Sequence, residues 1–250
     1  MRVIGVLDLT GGRAVHAVAG NRERYRPVES VAGSRIAPGD AVALARAYLT
    51  IGVTELYAAD LDAILGSRSQ DALVARLAAL GAPLWLDAGV SSADRARHVI
   101  GLGATRVIVG LETLPSFDAL EAICTAVGGD RVAFSLDLRD GEPVVSVRGV
   151  APREPATLVA TRAANAGAGT VIVIDLARVG TGAGLDLALI GRVHEAAPGM
   201  VLVAGGGVRG LNDLAQLANA GCDAALVATA LHDGRLGPAE VAAAQRLGQV

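Results

Sequence analysis

An internal echo constrains this chain more than any other feature. Val6-Leu7-Asp8-Leu9-Thr10-Gly11-Gly12 returns as Ser135-Leu136-Asp137-Leu138-Arg139-Asp140-Gly141, placing two aspartates 129 residues apart in a chain of 250. Each Asp closes a short apolar run that reads as a buried strand. Each is followed by a glycine turn and a second β-rich run, Ala14 to Val18 and Pro143 to Val147. Ala88-Gly89-Val90 is likewise echoed by Gly206-Gly207-Val208, and Asp60-Leu61 by Asp175-Leu176. A repeat at half the chain length implies duplication, so the sequence is read as one domain over 1–250 made of two half-barrels, about 1–128 and 129–250.

Short runs rich in Val, Ile and Leu predict strands near 3–8, 54–59, 83–87, 105–109, 131–137, 170–174, 200–204 and 223–227. Continuous rather than alternating apolar runs suit parallel strands buried on both faces. Between them lie Ala/Leu/Arg segments with helical spacing, at 40–51, 69–80, 92–101, 116–127, 155–166, 186–197, 211–220 and 238–247. Ser91-Ser92 and Asn212-Asp213 are helix-start signals, and Gly52, Gly103, Gly167 and Gly221 follow helices as terminators. Eight such units predict an α/β protein of the (β/α)8 TIM-barrel class, with its site at the C-terminal ends of the strands.

Composition narrows the function. No apolar run reaches the roughly 18 residues of a membrane span. The chain begins at once with a strand, so no secretory leader and a cytoplasmic location are expected. Cys124 and Cys222 lack metal-ligand spacing and read as small core residues. A net charge of −3 without a basic block argues against nucleic acid. All 22 cationic residues are arginine, which excludes any Schiff-base lysine.

Asp8 and Asp137 end the first and fifth strands, opposite one another in an eight-stranded barrel, an arrangement suited to a general acid and a general base acting on one molecule. The plainer alternative for each is an Asp capping its own turn. Glycine turns after strands three and seven, at Gly89-Val90-Ser91 and Gly205-Gly206-Gly207, precede helix starts, where backbone N–H groups can meet an anion. With Gly110 and Thr229 at the ends of strands four and eight, they predict two phosphate sites and a substrate phosphorylated at both ends. Residues Gly20 to Pro38 read as a long polar loop bearing Arg22, Arg24, Tyr25 and Arg26, with few aliphatic anchors, expected to be mobile and to close over a phosphate. Trp85 reads as core, and His98 and His194 as surface residues. His16 reads as a solvated loop residue that could touch ligand.

The motifs around Asp8, Asp60-Leu61-Asp62-Ala63, Asp137-Leu138-Arg139-Asp140-Gly141, Arg178-Val179-Gly180-Thr181 and Ala204-Gly205-Gly206-Gly207-Val208 resemble the histidine-biosynthesis half-barrel family over essentially the whole chain. That family contains the phosphoribosylformimino-aminoimidazole-carboxamide ribotide isomerase and the cyclase subunit of imidazole glycerol phosphate synthase. The resemblance implies a cofactor-free Amadori rearrangement of an aminoaldose to an aminoketose, on a phosphorylated ribosyl-amine. Asp8 would be the base at C2, and Asp137 the acid at the ring oxygen. Asp60, Asp175, Gly180, Thr181 and Arg209 would contact substrate, and no metal is implied. The chain departs from the isomerase pattern at Ser91 (Arg in that family), Ile174 (Thr), Val150 (Trp) and Val179 (Asp of Arg-Asp-Gly-Thr). A cyclase would need a first-strand lysine. The resemblance therefore also admits a paralogue converting another phosphorylated metabolite, such as one of pterin-type one-carbon cofactor metabolism, or a catalytically altered ligand-binding protein.

Overall fold

Eight parallel strands alternate with helices, and the sheet they form closes on itself. In a computed structural model describing residues 1–16, 24–145, 154–179, 181 and 184–248, the strands are β1 (Arg2–Thr10), β2 (Glu55–Asp60), β3 (Leu84–Asp87), β4 (Arg106–Gly110), β5 (Val132–Arg139), β6 (Thr170–Asp175), β7 (Val201–Gly205) and β8 (Ala224–Val227). Each pairs with the next in parallel, and β8 returns to β1 through Arg2↔Ala224 to Gly5↔Val227. The helices are α1 (Ala41–Thr50), α2 (Asp71–Ala78), α3 (Ala93–Gly101), α4 (Phe117–Val127), α5 (Ala156–Asn165), α6 (Leu187–Ala196), α7 (Leu211–Asn219) and α8 (Pro238–Gln245). Two single turns, Leu61–Ile64 and Thr229–His232, follow β2 and β8.

Alternation along each strand sorts side chains between two cores. Every strand contributes to a cluster inside the barrel (Ile4, Tyr57, Trp85, Ile108, Ala133, Ile172, Val203 and Ala224), which Ala59 and Leu226 complete. The intervening residues, such as Leu7, Leu56, Leu86, Phe134 and Leu202, join the larger cluster under the helices. Trp85 is fully buried, as its place in an apolar strand predicts. The floor is polar but paired. Glu55 accepts from Arg2 Nη1 at 2.8 Å and Trp85 Nε1 at 2.9 Å, and the Arg106 guanidinium lies over the Trp85 ring, 4.6 Å from its centroid.

Helix ends follow local chemistry. Ser92 and Ser116 accept the N–H groups of Arg95 and Ala119, and Asp186 that of Leu189, satisfying donors the first turn leaves open. Cys124 and Cys222 are buried free thiols, and His98 sits at the surface beside Asp71. His194 is exposed.

The segment after β1 is more ordered than its composition suggested. Arg13–His16 pairs back on β1, Arg26–Pro27 pairs with Arg13–His16, and Ser30–Val31 pairs with Ser34–Arg35. Val28 and Val31 are buried anchors, and Ala32 N–H donates to Leu231 O at 2.8 Å. Two valines and backbone pairing hold what read as an unanchored loop, while Arg22 lies outside the described residues. After β5, Glu142–Pro143 pairs with Arg139 and Leu138. This strand is two residues long, and Ser146 and Val147 also lie outside the described residues.

Candidate active site

At the C-terminal mouth the barrel opens into a cavity of about 360 Å³. Parity along the strands decides what faces it. Asp8 lies on the face of Ile4 and Val6, Asp87 on that of Trp85, and Asp137 on that of Ala133 and Ser135, so all three carboxylates point inward. Asp60 and Asp175 are one residue out of phase with Ala59 and Ile174, and neither lines the cavity. Asp60 instead accepts from Gln70 N at 2.7 Å, Gln70 Nε2 at 3.0 Å and Ala63 N at 3.1 Å, locking the loop after β2. Asp175 accepts from Ala177 N and pairs with Arg178 Nε at 3.0 Å.

The cavity carboxylates are poorly compensated. Burial pushes the Asp8 carboxyl up to about 7, and it has no hydrogen-bond partner among the described residues. Burial takes Asp87 to about 7 as well; the 3.1 Å bond from Gly89 N–H opposes the rise, and repulsion from Asp137, Glu112 and Asp60 adds smaller increments to it. Asp137 rises to about 6 through burial, moderated by the 2.8 Å bond from Ser135 Oγ. Tyr57, only 6 % exposed, lines the same space, and burial followed by repulsion from Asp87, Asp137, Asp8 and Glu112 holds its hydroxyl well above its ordinary pKa. These are desolvation shifts without an offsetting cation, the pattern of groups kept protonatable near neutrality.

The two glycine turns differ. Gly206 and Gly207 line the cavity with Val208 and Thr229, and the backbone N–H groups of residues 206, 207 and 208 meet no acceptor among the described residues. Their conformations (φ 85° and 104°) lie in glycine territory, and a Cβ on Gly207 would stand 2.6 Å from Gly184 O. Thr229 Oγ1 is hydrogen-bonded to His16 Nε2 at 2.9 Å, so His16 is half-buried against the cradle rather than solvated. Gly89, Ser91 and Gly110 do not line the cavity. Gly89 packs against the Leu61–Ile64 turn, where a Cβ would lie 3.1 Å from Ala63 O, and its N–H already serves Asp87.

Arg209 is engaged as a fork on Asp213, at 2.9 and 2.7 Å, and does not line the cavity. Thr181 is exposed and donates to Arg178 O, while Gly180 and Val150 lie outside the described residues. The lining cations are Arg139 on the rim and Arg235, which is paired with Asp233. Tyr25 also reaches the cavity, and Ile174, Leu176 and Val179 make the β6 wall apolar. Asp87, Tyr57 and Arg139 are cavity residues that sequence reading passed over. Asp87 carries the same signal as Asp8, an aspartate closing an apolar run before a glycine turn. Among the described residues no cluster of His, Cys, Asp and Glu is placed to hold a metal, and no helix is long and apolar enough to cross a membrane.

Residues 2–237 match the family model described as "Histidine biosynthesis protein". The chain belongs to this family. Within the histidine biosynthesis family, a Thermus thermophilus protein is 35% identical over 237 residues, covering 94% of this chain and 96% of its own length. It bears the name of an imidazole-4-carboxamide isomerase with two phosphoribosyl groups in the substrate name. A Deinococcus radiodurans protein of the same name is 31% identical, covering 94% of this chain and 95% of its own. An uncharacterised protein of Methanocaldococcus jannaschii is also 31% identical, covering 96% of this chain and 97% of its own.

Proposed function

We propose that the protein is a cofactor-free aldose–ketose isomerase of the Amadori type, acting on a phosphorylated ribosyl-amine. The observation that carries this reading is the placement of Asp8 on β1 and Asp137 on β5, opposite strands of a closed barrel, in one cavity with pKa values near neutrality. Ring opening needs a proton delivered to the ring oxygen, and enolisation needs a proton removed from C2. Two carboxyl groups titrating near 7 and near 6 share about one proton between them near pH 6.5, and the form with that proton on Asp137 and none on Asp8 is the one that turns over. Asp137 serves as the acid and Asp8 as the base. The N–H groups of Gly206, Gly207 and Val208, which meet no acceptor among the described residues, hold the substrate phosphate with Thr229. The relatives named as isomerases support the same reading.

The test is to supply the purified protein with the phosphorylated ribosyl-amine aldose and to follow ketose formation by NMR. Complementation of a histidine auxotroph lacking the isomerase runs in parallel. Ketose formation that is lost in Asp8→Asn and Asp137→Asn supports the assignment. Turnover surviving either substitution within about twofold would overturn it, because losing one acid–base group ordinarily costs roughly 10²–10⁴-fold.

A further inference from the structure

The phosphate cradle brings hydrogen-bond donors but no charge of its own. Gly206, Gly207 and Val208 offer backbone N–H groups, and Thr229 a hydroxyl. The nearby arginines are engaged elsewhere: Arg209 is forked on Asp213 at 2.9 and 2.7 Å, and Arg235 on Asp233 at 2.9 and 2.7 Å. Arg139 lines the cavity from β5, two strands away from β7. The side chain that does touch the cradle is an imidazole, with His16 Nε2 lying 2.9 Å from Thr229 Oγ1. A threonine hydroxyl carries a single proton. To give it to an anion, Thr229 must accept from His16, which makes Nε2 the donor. With about 2.7 Å for the bond from hydroxyl to anion, the imidazole nitrogen stands within about 6 Å of the anion's oxygen. At that range an opposite charge favours the protonated imidazole.

His16 is placed to change its charge there. Burial holds its imidazole below the ordinary histidine range, against a smaller upward pull from Asp233. His232, edge-to-face with His16 at 5.4 Å between ring centroids, cannot take this part. Tyr48 Oη on α1 donates to Val6 O at 3.0 Å, so at 2.6 Å it accepts from His232 Nε2. His232 Nδ1 is left buried without a partner among the described residues, and burial pushes the ring down to about 4, which keeps it neutral. The remaining charged groups on strands beside His16 are Arg26, its pairing partner, and Asp8 on β1, which pairs with Val15. We propose that His16 is the proton-linked counter-ion of the phosphate cradle: neutral without ligand, it takes up a proton as the substrate phosphate docks on Thr229, and its imidazolium orients that hydroxyl toward the anion. This rests on the isomerase reading, whose phosphate seat it completes. His16 is thus a positioning residue, acting through Thr229.

NMR titration of the full chain with sulfate tests this, because sulfate keeps both its charges across the range in which histidine titrates, whereas phosphate does not. The imidazole Hε1 resonances of the 4 histidines are followed against pH with and without sulfate, and His98→Gln and His194→Gln remove the two surface signals. The His16 midpoint should lie below 6.5 without ligand. Saturating sulfate should raise it by about one unit, so that sulfate binds roughly tenfold tighter on the acid side of the transition than on the alkaline side. His16→Gln keeps an N–H donor without the charge. It should still bind sulfate and lose this dependence, apart from the share that Asp8, Asp87 and Asp137 contribute as they ionise. A His16 midpoint unmoved by bound sulfate would overturn the proposal, as would a His16→Gln affinity that falls with pH as steeply as that of wild type. In both cases sulfate still binds and the isomerase reading stands. The wild-type resonance decides the matter even where His16→Gln fails to fold. Sulfate binding at no pH would overturn both.

Discussion

Replacing Asp8 with Asn should stabilise the protein above neutral pH while removing its catalysis. In the folded chain the Asp8 carboxyl titrates near 7, against about 3.8 when solvated, because burial penalises its ionised form. The native state therefore holds this proton more tightly than the unfolded state does. Stability from this group is highest below about pH 4, falls as pH rises through the interval between 4 and 7, and reaches its full deficit above 7. About three pH units at about 1.36 kcal/mol each set an upper bound of about 4 kcal/mol. Asp8 keeps some exposure to the cavity, and solvent screening there reduces the expected gain to about 1–2 kcal/mol. An amide of the same shape carries no such deficit. Urea unfolding at pH 8 should place Asp8→Asn about 1–2 kcal/mol above wild type, or about 3–6 °C in thermal midpoint for a chain of this size. The advantage should disappear by about pH 4. An Asp8→Asn protein no more stable than wild type at pH 8, or one equally advantaged at both pH values, would refute the reasoning.

The pH profile of kcat/KM should be a narrow bell between about pH 6 and 7, reporting the coupled carboxyl pair. Asp8→Asn should remove its acidic limb from the residual activity, and Asp137→Asn its basic limb. Gly207→Ala places a methyl 2.6 Å from Gly184 O on a backbone at φ 104°; it should cost about 1–3 kcal/mol in urea unfolding and weaken phosphate binding in calorimetry. Glu55→Ala on the barrel floor strips Trp85 Nε1 of its acceptor and leaves the Arg2 and Arg106 charges unmatched. It should lower stability by about 3 kcal/mol, with turnover of the folded fraction at the far end unchanged.

The eight strand–helix units could be read from the chain because their signals are local. Apolar runs, helical spacing, Ser caps and terminal glycines act within a few residues of themselves, and parallel pairing of buried runs leaves few ways to close the sheet. The positions of Asp8 and Asp137 at strand ends belong to the same level. The segment after β1 escaped that reading because its anchors are distant in the chain: Val28 N–H donates to Ala14 O and Ala32 N–H to Leu231 O, which no local pattern reveals.

What the tertiary structure alone decided is which strand-end groups share the cavity. Asp8, Asp87 and Asp137 lie in phase with the interior residues of their strands, whereas Asp60 and Asp175 are one residue out of phase and turn away to lock loops. A one-residue difference in parity reverses a side chain's face. The parity of a strand is fixed only by how its neighbours pair with it around the closed barrel. The two glycine turns diverge for a more local reason. Asp87, two residues before Gly89 on the same strand, takes that N–H, whereas Gly205 at the matching place has no side chain and the Gly207 N–H meets no acceptor among the described residues.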